Sequence, residues 1–132
     1  MIIKQSIMKK VIATTNAPAV IGPYSQAIEV NGTLYNSGQL PVNPATGKID
    51  GTTVTEQAQQ SLKNVGAILE AAGYTYDDVV KSTVYLADMS YFAEMNEVYK
   101  TVYTKDFPAR SAFAVKALPM GALVEIETIA AK

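Results

Sequence analysis

Phe107-Pro-Ala-Arg110-Ser-Ala-Phe-Ala-Val115, followed by Leu118-Pro-Met-Gly121 and Leu123-Val-Glu125-Ile-Glu127, closes the chain with two strand-like runs, each carrying charge among apolar residues. Burying an unpaired charge costs several kcal/mol or forces a pKa shift, so such residues need partners. A guanidinium and a carboxylate in this setting point to a small anionic ligand. Arg110 sits two residues after Pro108 among small neighbours, Ala109, Ser111 and Ala112, which leave room for one. The planar fork of an arginine matches a carboxylate, and such pairs are about twice as strong as neutral hydrogen bonds. An interface or rim ion pair is the competing reading of Arg110. Strand alternation turns Val124 and Ile126 one way and Leu123, Glu125 and Glu127 the other. If the connection between the two strands has an even number of residues, position 110 can face position 125 on the same side of the sheet. Glu125 then either orients water and accepts a proton or neutralises Arg110, and Glu127 shares its face.

Working back toward the N-terminus, Ser90 to Tyr103 has helical period, with Phe92, Met95, Tyr99, Val102 and Tyr103 on one stripe. Val79 to Ala87 is rich in β-branched residues and alternates, so it predicts a strand. Thr53 to Ala72 is the clearest helix, because Thr53 and Glu56 form a capping box and Gly73 follows the last periodic residue. Asn31-Gly32 supplies the positive φ values of a type I′ turn between two strand runs, Ser25–Val30 and Thr33–Ser37. The second run is expected to place Thr33, Tyr35, Ser37 and Gln39 on one face and Leu34, Asn36, Gly38 and Leu40 on the other. Lys9 to Thr14 reads as a first strand. Two helices interleaved with five or six strands imply an α+β domain, a mixed sheet with both helices on one face.

Three further residues are candidates for a ligand. Tyr24 follows a rigid Gly22-Pro23 that fixes its ring, either to close a pocket or simply to pack. Ser37 lies at a strand end beside Gly38 and has no base partner in sequence, which leaves ligand binding or turn stabilisation. Asn96 interrupts the apolar stripe of the second helix and needs a partner, backbone or ligand.

Composition narrows the chemistry. The 132 residues make one domain, large enough for a core without metal or disulfide. Charged residues are only 17%, against about 25% in ordinary soluble domains, so part of the surface is expected to be covered by copies of the same chain. There is no Cys and no His, which removes thiol nucleophiles, Ser-His pairs and the usual zinc sites. Net charge is −1 and no basic run exceeds Lys9-Lys10, so the chain lacks the stripe that would neutralise nucleic-acid phosphates. No apolar stretch approaches the ~20 residues of a membrane span. The start, MIIKQSIMKK, is wrongly ordered for a signal peptide, which gives a cytoplasmic reading in which residues 1–7 extend a domain formed by residues 8–132.

NAPAVIGPYSQA, SGQLPVNPATG, ILEAAG, VVKSTVYLADMSYFAEMNEVY and PARSAFAVKALPMGALVEIE, in this order from about Lys9 to Lys132, resemble the RidA (YjgF) family. The resemblance implies a chorismate-mutase-like α+β fold assembled as a homotrimer, with ligand sites in the clefts between subunits. It also implies cofactor-free hydrolysis of reactive 2-imino or enamine acids (2-aminoacrylate/2-iminopropanoate and 2-iminobutanoate) to 2-keto acids and ammonia. On the matching positions, Arg110 binds the carboxylate, Glu125 positions the attacking water, and Tyr24, Ser37, Asn96 and Ala112 complete the pocket. Many relatives carry cysteine where this chain has Ala112, whose backbone can still contact ligand. The alternative is a non-catalytic trimeric metabolite-binding or regulatory protein that uses the same Arg110 pocket. Some relatives carry a ribonuclease or translation-inhibitor label, to which an acidic chain without His lends little support.

Overall fold

The computed structural model describes residues 8–132, so the expected N-terminal extension, residues 1–7, lies outside the described residues. Six strands, β1 (Lys10–Ile12), β2 (Ala27–Val30), β3 (Thr33–Gln39), β4 (Val79–Leu86), β5 (Ala109–Ala114) and β6 (Val124–Ala131), form one sheet in the order β1-β2-β3-β6-β4-β5. Two helices, α1 (Val54–Ala72) and α2 (Phe92–Val102), complete the expected α+β architecture. β4 and β5 run parallel and are joined through α2, while the other neighbouring pairs are antiparallel. β6, last in the chain, is thereby inserted between β3 and β4.

The helices cover one face because most alternate residues of the central strands are apolar. Leu34, Val84, Leu86, Val124, Ile126 and Ala130 are fully buried against Leu62, Val65, Ile68 and Leu69 of α1. Each of the Val, Leu and Ile side chains among them contributes about 1.5–3 kcal/mol on leaving water. α1 starts at Thr53, whose hydroxyl accepts from the Glu56 amide while the Glu56 carboxylate accepts from the Thr53 amide, both at 3.1 Å. It ends at Gly73, in the left-handed conformation with φ 82°. The β2–β3 turn takes φ 50° at Asn31 and 76° at Gly32, as its Asn-Gly sequence requires.

Two expectations about faces are corrected. β5 and β6 are not neighbours, since β4 lies between them. In register across the three strands, Arg110 aligns with Ser82 and Thr128, whereas Phe113 aligns with Tyr85 and Glu125. Positions 110 and 113 have opposite parity, so Arg110 lies on the helix-covered face and Glu125 on the open one. The second correction concerns β3. Its pairing with β6 shifts register between Asn36 and Gln39. This irregularity turns Gln39 inward to a buried position opposite Ile126 instead of leaving it on the face of Tyr35.

Gly66, mid-helix in α1, is required by the turn that enters β4. The Tyr76 hydroxyl donates to the Leu62 carbonyl at 2.7 Å and occupies the place of a Gly66 Cβ. Gly66→Ala should therefore destabilise the protein by about 1–2 kcal/mol through overpacking and the lost hydrogen bond, despite a helix-propensity gain of about 1 kcal/mol. Urea unfolding should show this loss, and in a Tyr76→Ala background the same substitution should become stabilising.

Candidate active site

Arg110 enters from the edge strand β5 onto the helix-covered face, beneath α2. Its Nη1 donates to Asn96 Oδ1 at 2.7 Å, which supplies the partner that the polar break in the α2 stripe requires. The guanidinium carbon lies 4.8 Å from the centre of the Tyr99 ring and 5.5 Å from that of Phe92. Residues 92, 96 and 99 share one side of the helix, so three consecutive turns present ring, amide and ring to one cation. No carboxylate pairs with Arg110 among the described residues; the ion pair found there is Lys100 with Glu97. An intrachain ion pair is thus not its role. Asn96, Tyr99, Lys100, Phe107, Pro108 and Arg110 line a cleft of about 460 Å³. Ala112 lies two residues along on the same face as Arg110, opposite Val84.

Glu125 projects from the open face onto the irregular end of β3. A Cβ at Gly38 would come within 2.7 Å of Glu125 Oε2, so a glycine is needed for the carboxylate to lie against the backbone there. Sequence reasoning missed this residue; the signal was a glycine interrupting a strand, which often marks a close approach. Gly38 also lines a mostly apolar pocket of about 150 Å³ with Tyr24, Ile21, Leu40, Val42 and Met120. Ser37 stands beside it, but its hydroxyl donates to the Ser25 carbonyl at 2.6 Å. Turn stabilisation is therefore observed, and only its lone pairs remain for a ligand.

The two glutamates of β6 are distinguished by their partners. Glu127 accepts from the Tyr85 hydroxyl at 2.8 Å, which, with burial, pushes that phenol up to about 12. Glu125 has no hydrogen-bond partner among the described residues. Partial burial, and secondarily the charge of Glu127, hold its proton more tightly than an ordinary carboxyl group does.

Buried amides fix the loops that border the Tyr24–Gly38 pocket or lead into β6. Gln26 accepts from the Thr14 amide at 2.7 Å and donates to the Thr14 and Pro18 carbonyls at 3.0 and 2.9 Å. Asn64 of α1 donates to the Leu40 and Val42 carbonyls at 3.0 and 2.9 Å. Gln57 donates to the Gly51 carbonyl and accepts from the Leu123 amide, just ahead of β6.

The chain therefore brings Arg110 and Asn96 together, and separately gathers Tyr24, Gly38 and Glu125. It does not bring the two groups together, because the sheet stands between them. Chemically, the first has most of its N–H donors unspent and so could receive an anion, and the second is a carboxylate without a hydrogen-bond partner among the described residues, able to accept a proton or orient water. Among the described residues no group of three or more His, Cys, Asp or Glu side chains could hold a metal ion, and no helix is long and apolar enough to cross a membrane.

The family model described as endoribonuclease L-PSP matches residues 14–132. A mouse protein named 2-iminobutanoate/2-iminopropanoate deaminase is 54% identical over 125 residues, spanning 95% of this chain and 93% of the mouse protein. The solved YjgF gene product of E. coli is 48% identical with a TM-score of 0.89, covering 93% of this chain and 98% of that one. E. coli TdcF, solved with bound serine, has the same TM-score, 0.89, at 43% identity and covers 93% and 98% of the two chains. Matching sequence and fold over nearly its whole length, the chain belongs to the endoribonuclease L-PSP family, the RidA (YjgF) family that its motifs resemble.

Proposed function

We propose that the protein hydrolyses reactive 2-imino and enamine acids, 2-aminoacrylate/2-iminopropanoate and 2-iminobutanoate among them, to 2-keto acids and ammonia at sites shared between subunits of a homotrimer. The observation that carries the activity is the 54% identity to the mouse deaminase over 95% of the chain. The shared site is supported by the sheet itself. Arg110 and Glu125 leave one subunit on opposite faces, so a substrate that touches both has to lie between two copies. The open face is suited to such burial, with Val11, Tyr35 and Phe113 exposed by 57%, 49% and 46%.

In this reading the guanidinium of one subunit binds the substrate carboxylate and draws electron density from the adjacent C=N bond. Asn96 leaves the remaining N–H donors directed at the ligand. Glu125 of the next subunit orients a water and takes its proton as the oxygen adds to the imine carbon. The resulting carbinolamine forms the keto C=O bond as its C–N bond breaks, and protonated nitrogen departs as ammonia. Imines hydrolyse unaided, and each tenfold in rate needs only about 1.4 kcal/mol, so positioning and modest base help suffice. Neither Cys nor His is required. The endoribonuclease description of the family model finds no support in the residues, since the chain has no His to move protons and no basic stripe to hold phosphates.

With the imines generated in situ, the wild-type protein should accelerate keto-acid release over solvent, and Arg110→Ala should abolish the acceleration; none by wild type would leave only a metabolite-binding protein. Arg110→Ala and Glu125→Gln, each inactive, should regain about a quarter of wild-type activity when unfolded and co-refolded in equal amounts, because random assembly restores one intact interface in roughly four. Sites contained within single subunits would regain nothing.

The pH profile follows from Glu125. It must be ionised to accept a proton, so kcat/KM should fall as pH drops through a pKa above the ordinary glutamate value. Glu127→Gln removes the neighbouring charge that raises this pKa, and should move the acid limb to lower pH.

A further inference from the structure

We propose that Tyr99, backed by Tyr103 and Tyr76, is the positioning residue that fixes the plane of the Arg110 guanidinium. This inference rests on the reading of Arg110 as the carboxylate anchor. Of the five N–H donors on the guanidinium, the structure ties one, to Asn96. A single hydrogen bond lets the group swing about its own axis, and a bidentate ligand needs the plane held before it arrives.

The aromatic contacts supply that restraint. Tyr99 lies with its ring centre 4.8 Å from the guanidinium carbon and is itself buried. Its ring tilts against Tyr103, centres 4.6 Å apart. Tyr103 meets Tyr76 edge to face at 5.7 Å, and the Tyr76 hydroxyl ends the series on the Leu62 carbonyl of α1. The cation is thus referenced through three rings to the longest helix. None of the three provides a carboxylate, so Arg110 is held without spending its charge, which a Glu or Asp partner would have neutralised. The Tyr99 hydroxyl is buried without a hydrogen-bond partner among the described residues, whereas its ring face meets the guanidinium.

Two measurements on the full-length protein test this. In wild type, the Arg110 side-chain protons should resonate upfield of free arginine through the ring currents of Tyr99 and Phe92, with rotation about Nε–Cζ slow enough to separate the Nη signals. Tyr99→Leu should weaken 2-oxobutanoate binding and raise KM for 2-iminobutanoate about five- to tenfold, with kcat little changed. Tyr99→Phe, which keeps the ring, should stay near wild type, and Tyr103→Leu should give a smaller rise in KM. A freely rotating, unshifted Arg110 in wild type would overturn the proposal, and so would a folded Tyr99→Leu that binds 2-oxobutanoate as tightly as wild type, or a Tyr99→Phe as impaired as Tyr99→Leu. If Tyr99→Leu does not fold, the wild-type signals decide. Undiminished binding by Arg110→Ala would instead defeat the anchor reading, a separate outcome.

Discussion

β6 runs antiparallel to both β3 and β4, and its alternation governs the molecule. Val124, Ile126, Thr128 and Ala130 are buried beneath the helices, so Glu125, Glu127 and Ile129 have to emerge on the other side. A one-residue slip would carry two carboxylates into the core, at a cost no neighbouring group there could offset. β4 and β5 inherit this register, which fixes Arg110 on the helix side. The separation of the two charged groups is thus a consequence of core packing. Direct neutralisation of one by the other within the subunit is ruled out by the same geometry.

Three charged side chains, one on β5 and two on β6, are treated differently. Arg110 is held by an amide and two aromatic rings, Glu127 by a tyrosine hydroxyl, and Glu125 by no hydrogen bond among the described residues. The first has no ion-pair partner among the described residues, which leaves its charge available to an external anion. The second is satisfied where it stands. The third keeps its proton more readily, which is the condition a catalytic carboxyl group needs.

Local patterns carried most of the fold into the sequence. The Thr53–Glu56 box, Gly73 and Asn31-Gly32 act within a few residues, so each was legible and each stands in the structure. The position of β6 was not, because consecutive strands are neighbours only about two-thirds of the time and the choice depends on contacts distant in sequence. Reading β5 and β6 as facing strands placed Arg110 and Glu125 on one side. The irregular end of β3 was hidden for a related reason: it is defined by its pairing with β6, and Gly38 is its one local sign. Of the site, the unusual setting of Arg110 and the break at Asn96 were legible as features, while Gly38 and the part of Tyr99 beneath the guanidinium required the third dimension.

The buried amides explain how so small a chain keeps the loops beside Tyr24, Gly38 and β6 ordered. Gln26, Asn64 and Gln57 are nearly inaccessible and spend their hydrogen bonds on loop backbone. Each loop they grip borders the pocket of Tyr24 and Gly38 or leads into the strand of Glu125. Leaving such an amide unsatisfied would cost about 1–3 kcal/mol, so the loops are held by the same energy that keeps the core closed. The region of Arg110 has an equivalent in its column of rings, built chiefly from packing and anchored by the Tyr76 hydrogen bond to Leu62. Both regions are therefore held in place within the single subunit, as the proposed shared site requires. A reaction that needs chiefly orientation can then be served by groups with no strong nucleophile among them.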